Sequence, residues 1–242
     1  MSTPAGSKTP RHDGRTASER LRVKLEPLMA EVSVRSAMMV EHPRPAEVYR
    51  ALLELLYGEI RASIPLMGTV GARAAELAQL GDPVADAMLP WLRRHIEDET
   101  GHDEWLLSDY GLVGGNSLHL AARAGDPAFA AMVGSVYYWS LLAHPVALLG
   151  YCAVIEGSPP SQIFVDRLVD GTGMPASAFS TLRHHSDLDV HHAEEIFDLI
   201  DALPLDERHE AILGVTALQT ADLLVVAADE LLERVDVADT GD

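Results

Sequence analysis

Three potential metal ligands recur at the same spacing in two places. The first set is His95-xxx-Glu99-xx-His102; the second, about ninety residues later, is His185-xxx-Asp189-xx-His192. Steps of four and three residues return an α-helix to nearly the same face, so each set points two imidazoles and a carboxylate in one direction. Six of the eleven histidines fall in these two windows. Two such stripes facing each other would enclose a pair of metal ions, which demands helices packed side by side.

The rest of the chain reads in the same way. Nearly every periodic segment has helical spacing, and no alternating strand pattern of useful length occurs. Helices are expected over residues 18–40, 45–67, 73–80, 83–109, 127–155, 160–169, 175–202 and 205–234. Gly68 and Gly71 are expected to loosen the second, and Pro145 to bend the long apolar one. Short connections and the lack of a dividing linker predict an all-α fold, a single domain over residues 17–236. Residues 1–16, rich in Ser, Thr, Pro and Gly, are expected to be disordered, and 237–242 to be a frayed tail.

Composition narrows the function classes. A net charge of -19 is far from what a nucleic-acid-binding surface needs, and no basic patch for anionic membranes occurs. No uninterrupted apolar run reaches bilayer length, and the N-terminal residues lack the apolar core of a secretory signal, so a cytoplasmic location is expected. The lone Cys152 excludes an internal disulfide framework and a cysteine-based zinc site. There is no Gly-x-Ser-x-Gly elbow, phosphate loop or Rossmann glycine fingerprint.

His185, Asp189 and His192 form a donor set suited to iron or manganese, the alternative being a solvated, histidine-rich face. Glu99-xx-His102 reproduces the Glu-x-x-His element of di-iron helical bundles; alone it is a weak signal, and paired with Asp189-xx-His192 a stronger one. His-Glu-x-x-His, the zinc-peptidase motif, is absent. His95 either ligates, hydrogen-bonds a ligand, or lies one turn beyond the site; the last two readings are favoured. Glu156 closes the apolar run LLGYCAVIEG. A carboxylate at a helix C-terminus opposes the dipole, so a compensating cation is expected there. Glu54 and Glu59 are weaker carboxylate candidates. Cys152, one turn before Glu156, and Tyr138 are candidates for a pocket wall, with a core role as the plainer reading. Arg61, Arg94 and Arg183 are read as surface residues that could also meet a substrate carboxylate.

The combination of Glu99-Thr-Gly-His102, Ile155-Glu156-Gly157 and His185-xxx-Asp189-xx-His192, flanked by LYGEIRASIPLM and LLSDYGL, resembles the haem-oxygenase-like non-haem di-iron oxidases and oxygenases over about residues 49–202. The resemblance implies a haem-oxygenase-like bundle of seven to eight helices with a substrate pocket beside two irons. Carried over position by position, the ligands are Glu99, His102, Glu156, His185, Asp189 and His192, with Glu59 as a further carboxylate; His95 receives no role. It also implies dioxygen as co-substrate, a peroxo-bridged diferric species, and C–H cleavage or N-oxygenation of a small metabolite, by family habit a free amino acid. An external electron donor or reductase and a homodimer are the accompanying expectations. The rivals are a ferritin-like iron-oxidising or storage protein, a metal-independent or haem-binding member of the fold, and a histidine-rich binding protein.

Overall fold

Prolines open three of the helices, each just after a residue that ends the preceding turn, because a helix's first N–H needs no partner and proline's φ is already helical. In the computed structural model, which describes residues 14–157 and 159–237, Pro45, Pro83 and Pro127 begin α2 (Pro45–Gln79), α3 (Pro83–Glu99) and α6 (Pro127–Leu142). Asp82 and Asp126 cap α3 and α6 by accepting hydrogen bonds from first-turn N–H groups. α1 (Ala17–Glu41) starts at a capping box between Thr16 and Glu19. Residues 1–13 of the expected disordered segment and the tail beyond Val237 lie outside the described residues.

The remaining helices are α4 (His102–Leu112), α5 (Ser117–Ala122), α7 (Ala147–Ile155), α8 (Gln162–Thr172), α9 (Ser180–Ala202) and α10 (Glu207–Val237), with a 3-10 turn at Ala176–Phe179 leading into α9. Among the described residues there is no strand. α10 packs on α7, α1 and α6, and α2 on α3, α6 and α4, around one apolar core. α7 is the innermost element: Ala147 through Val154 are all buried. Gly150 permits this, since a Cβ there would sit 2.4 Å from the Leu213 carbonyl oxygen of α10. α10 is long and apolar enough by composition to cross a membrane, but half of its most apolar window is buried inside the bundle, as in a central core helix.

Three boundaries differ from the sequence expectation. α2 runs unbroken through Gly68 and Gly71, because Leu66, Met67, Val70 and Ala74 are buried there and packing outweighs a glycine cost of about 1 kcal/mol each. The expected bend at Pro145 is a full break between α6 and α7. The helix expected over 83–109 is divided at Gly101, and this division shapes the site.

Candidate metal centre

Glu99 is the last residue of α3 and His102 the first of α4. Between them Gly101 adopts φ +97, the left-handed region that glycine enters at least cost. The Glu-x-x-His pair is therefore held by a corner rather than a continuous helical face. The corner brings His102 Nδ1 to 3.0 Å from Glu99 Oε2, with both side chains buried.

Glu156 caps the C-terminus of α7 and is also buried. Its Oε1 faces His95 Nε2 at 3.1 Å, and its Oε2 lies 3.3 Å from His192 Nδ1. His192 Nδ1 is 3.5 Å from Glu99 Oε1 and 3.7 Å from Asp189 Oδ1. One ligand atom from each of His95, Glu99, Glu156 and His192 lies within 4.8 Å of all the others, and the same holds for Glu99, His102 and His185. Glu99 belongs to both groups. The structure thus brings together Glu99, His102, Glu156, His185, Asp189 and His192, and adds His95.

Neighbours aim these side chains. Asp109 of α4 is fully buried; Ser180 Oγ and the Thr181 N–H at the start of α9 donate to it at 2.7 and 2.8 Å. One turn on, His185 Nδ1 donates to the Thr181 carbonyl at 2.9 Å, which leaves Nε2 as the basic nitrogen facing the site. Trp91 stacks on His95 and Trp105 on His102, with centroids 4.7 and 4.2 Å apart. Tyr151 donates a short hydrogen bond to Glu59, which is buried deeper in α2.

The electrostatics are those of a crowd of anions and imidazoles short of positive charge. Burial, then the Glu156 and Glu99 carboxylates, push Asp189 up to about 8. Burial pushes Glu59 up to about 7 against the Tyr151 hydrogen bond. Burial would also raise Glu156, but His192 and His95 outweigh it and pull the carboxyl down to about 2. Contact with Glu156 raises His192 to about 9. Burial lowers His185. Burial raises Cys152 well above its usual range.

The donor set fits metal ions on two counts. Buried polar atoms are ordinarily paired, yet His95 Nδ1, Glu99 Oε1, His102 Nδ1, Glu156 Oε2, Asp189 Oδ1 and His192 Nδ1 have no hydrogen-bond partner among the described residues. Two ligands at right angles on an ion with bonds of about 2.1 Å stand about 3 Å apart, the scale of the N···O spacings seen here. A third cluster, Asp82, His144 and His209, does not fit. His144 Nδ1 accepts the Val146 N–H at 3.0 Å, so its proton sits on Nε2, facing Asp82 at 3.3 Å.

A cavity of about 570 Å3 opens onto the centre, with Glu59, His95, Glu99, Glu156, His185 and Asp189 in its wall. The rest of the wall is mainly hydrocarbon from α1, α2 and α8, including Val32, Leu52, Leu56, Ile60 and Phe164. Cys152 lines it as well. Tyr138 does not: it is 56 % exposed on the outer side of α6, because the break before α7 separates it from the helix that carries Glu156. Arg94 is exposed and Arg183 pairs with Asp166; the arginines that reach the cavity are Arg35 and Arg167, one of which, Arg35, is held in a fork by Asp229. Sequence reasoning also passed over Asp109, Trp91 and Trp105. Their spacing from His95 and His102 (four before, three after) is a signal for the tryptophans; nothing local marks Asp109.

The comparisons with known proteins agree with this picture. A family model described as iron-containing redox enzyme matches residues 67–223. Similar solved structures include a domain of unknown function with a haem-oxygenase-like fold from Shewanella denitrificans, 16 % identical, TM-score 0.74, covering 93 % of this chain and 94 % of that one. A TenA homologue from Pseudomonas syringae is 14 % identical, TM-score 0.67, with 96 % and 100 % covered. A CADD-like protein of unknown function from Nostoc punctiforme is 14 % identical, TM-score 0.64, with 90 % and 97 % covered. No curated protein matches. The fold is haem-oxygenase-like.

Proposed function

This chain belongs to the iron-containing redox enzyme family, and from that premise we propose that it is a dioxygen-activating non-haem di-iron oxidase acting on a small organic substrate. The observation that carries the reading is the pair of donor groups sharing Glu99, with six buried donor atoms otherwise unpartnered. His102 and His185 would serve one ion, and His192 with Asp189 the other; Glu99 and Glu156 stand between them. Bound there, iron would supply the redox chemistry with dioxygen that breaks an unactivated C–H bond or oxygenates an amine. The chain's own groups set geometry, exclude water and hold protons: Glu59 and Asp189, both shifted towards neutrality, are placed to keep a proton beside the reacting volume.

The cavity bears on the substrate. Its hydrocarbon wall suits a molecule with an apolar body, reacting at the carboxylate-lined end. A free amino acid, the expectation from family habit, would have to bury its ammonium where the available acceptors are the metal ligands. Arg167, whose contact with the exposed Glu41 is 3.4 Å long, is the cation placed at the wall to meet an anionic head group. A separate electron donor, acting in the cytoplasm, completes the proposal.

The metal-independent alternative draws on the likeness to a TenA homologue, which shows the fold alone. The test is dioxygen uptake by the anaerobically iron-loaded protein against a panel of small metabolites. Acceleration by aliphatic carboxylates or amines, absent in iron-free protein, is expected. Equal turnover without iron would contradict the proposal.

A further inference from the structure

His95 has no place in the sequence pattern of the two stripes, yet the fold aims it into the centre. We propose that His95 is a fourth imidazole ligand, binding through Nε2 the same metal ion as His192. This rests on the di-iron reading above and extends its ligand set.

The first ground is convergence. His95 is 2 % exposed, its Nε2 lies 3.1 Å from Glu156 Oε1, and the ligand atoms of His95, Glu99, Glu156 and His192 are mutually within 4.8 Å. A side chain supporting the site from outside would touch one ligand; His95 reaches three.

The second ground is the matched geometry of the two imidazole pairs. His95 and His192 meet edge to face, with centroids 4.9 Å apart and planes at 73°. His102 and His185 meet edge to face at 5.0 Å and 81°. Each pair belongs to one of the two groups that share Glu99. Two imidazoles on adjacent positions of one ion adopt this relationship, and the chain shows it twice, once on each side of the shared carboxylate.

The third ground is how the ring is held. Trp91 stacks on His95 at 4.7 Å and 18°, fixing its plane so that Nε2 faces inward, while Nδ1 is buried with no partner among the described residues. The ring orientation is thus set by packing rather than by a hydrogen bond to the backbone, which is the arrangement seen at His185. Each ion then receives two nitrogens, and the centre is more nitrogen-rich than the six-residue pattern implies.

The test counts coordinated imidazoles in the Co(II)-substituted protein, where each ligating histidine gives one strongly shifted, solvent-exchangeable N–H proton resonance. Four such resonances are expected in the wild type and three in His95→Gln, whose amide keeps a donor to Glu156 but is a poor ligand. The second Co(II) should also bind at least ~10-fold more weakly in the variant. Three resonances in the wild type, or the same number in both proteins, would overturn the role of His95 while leaving the di-metal reading intact. If His95→Gln fails to fold, the wild-type count still decides, because His102, His185 and His192 account for only three. A wild type that binds no Co(II) and no Fe(II) would remove both proposals together.

Discussion

Asp109 on α4 accepts the backbone N–H of Thr181 at 2.8 Å, tying two helices together 72 residues apart in the chain. The same carboxylate takes the Ser180 hydroxyl, so it caps the start of α9 from outside that helix. Through the Thr181 carbonyl the tie reaches His185. Asp109→Ala leaves a buried N–H unpaired, which costs about 1–3 kcal/mol. It should also weaken iron binding by roughly 10- to 100-fold, the usual effect of losing a support behind a ligand. Asp109→Asn, which keeps an acceptor oxygen, should lose less of both. Thermal unfolding and iron titration measure the two effects separately.

Gly101 is the corner on which Glu99 and His102 turn. A Cβ there has open space around it, so Gly101→Ala tests backbone strain alone. At φ +97 an alanine costs about 1–2 kcal/mol. The expected outcome is a modest fall in melting temperature and a larger fall in iron affinity, because relaxing the turn parts Glu99 from His102. Unchanged iron binding would show that the corner tolerates a continuous helix.

The two pKa shifts at the α9 stripe predict opposite pH trends for the empty and loaded protein. His192 is raised to about 9, so the folded metal-free chain holds a proton that the unfolded chain releases near pH 6.5. That contribution is fully present below pH 6.5 and is lost as pH rises through about 9. Asp189, raised to about 8, likewise retains a proton that the unfolded chain has already lost. The metal-free protein should therefore become less stable between pH 7 and 9. Metal binding, which needs both groups deprotonated, should strengthen over the same interval. Denaturant unfolding, and proton release on Co(II) addition, would check each trend.

Leu56 lines the cavity away from the ligands. Leu56→Trp should fill part of the 570 Å3 space and exclude a substrate with an apolar body, while iron content stays at the wild-type level. Loss of substrate-stimulated dioxygen uptake with iron retained is the expected pair of results. Retained stimulation would place the substrate elsewhere.

The helical class and the convergence of the two stripes were legible because ligand spacing and apolar periodicity are both properties of single helices. What escaped was set between elements. Gly101 lies in the polar run IEDETGHDEW, where one glycine looks like a tolerated helical residue, so a corner was read as a face. His95 shares a spacing with His185, but its inward aim depends on Trp91 and on where α7 delivers Glu156. The division of α6 from α7 likewise carried Tyr138 to the surface. Asp109 and Tyr151 act only through partners on other helices, which no local pattern announces.

The most direct measurement is the number of irons bound per chain on anaerobic Fe(II) titration of the metal-free protein. The account predicts about two for the wild type, as the pair of donor groups sharing Glu99 requires. In His192→Ala, which removes the imidazole nearest Asp189, Glu156 and Glu99, it predicts loss of the second iron and of the dioxygen reaction. A wild type binding no iron, or a His192→Ala protein binding two irons and reacting with dioxygen unchanged, would contradict it.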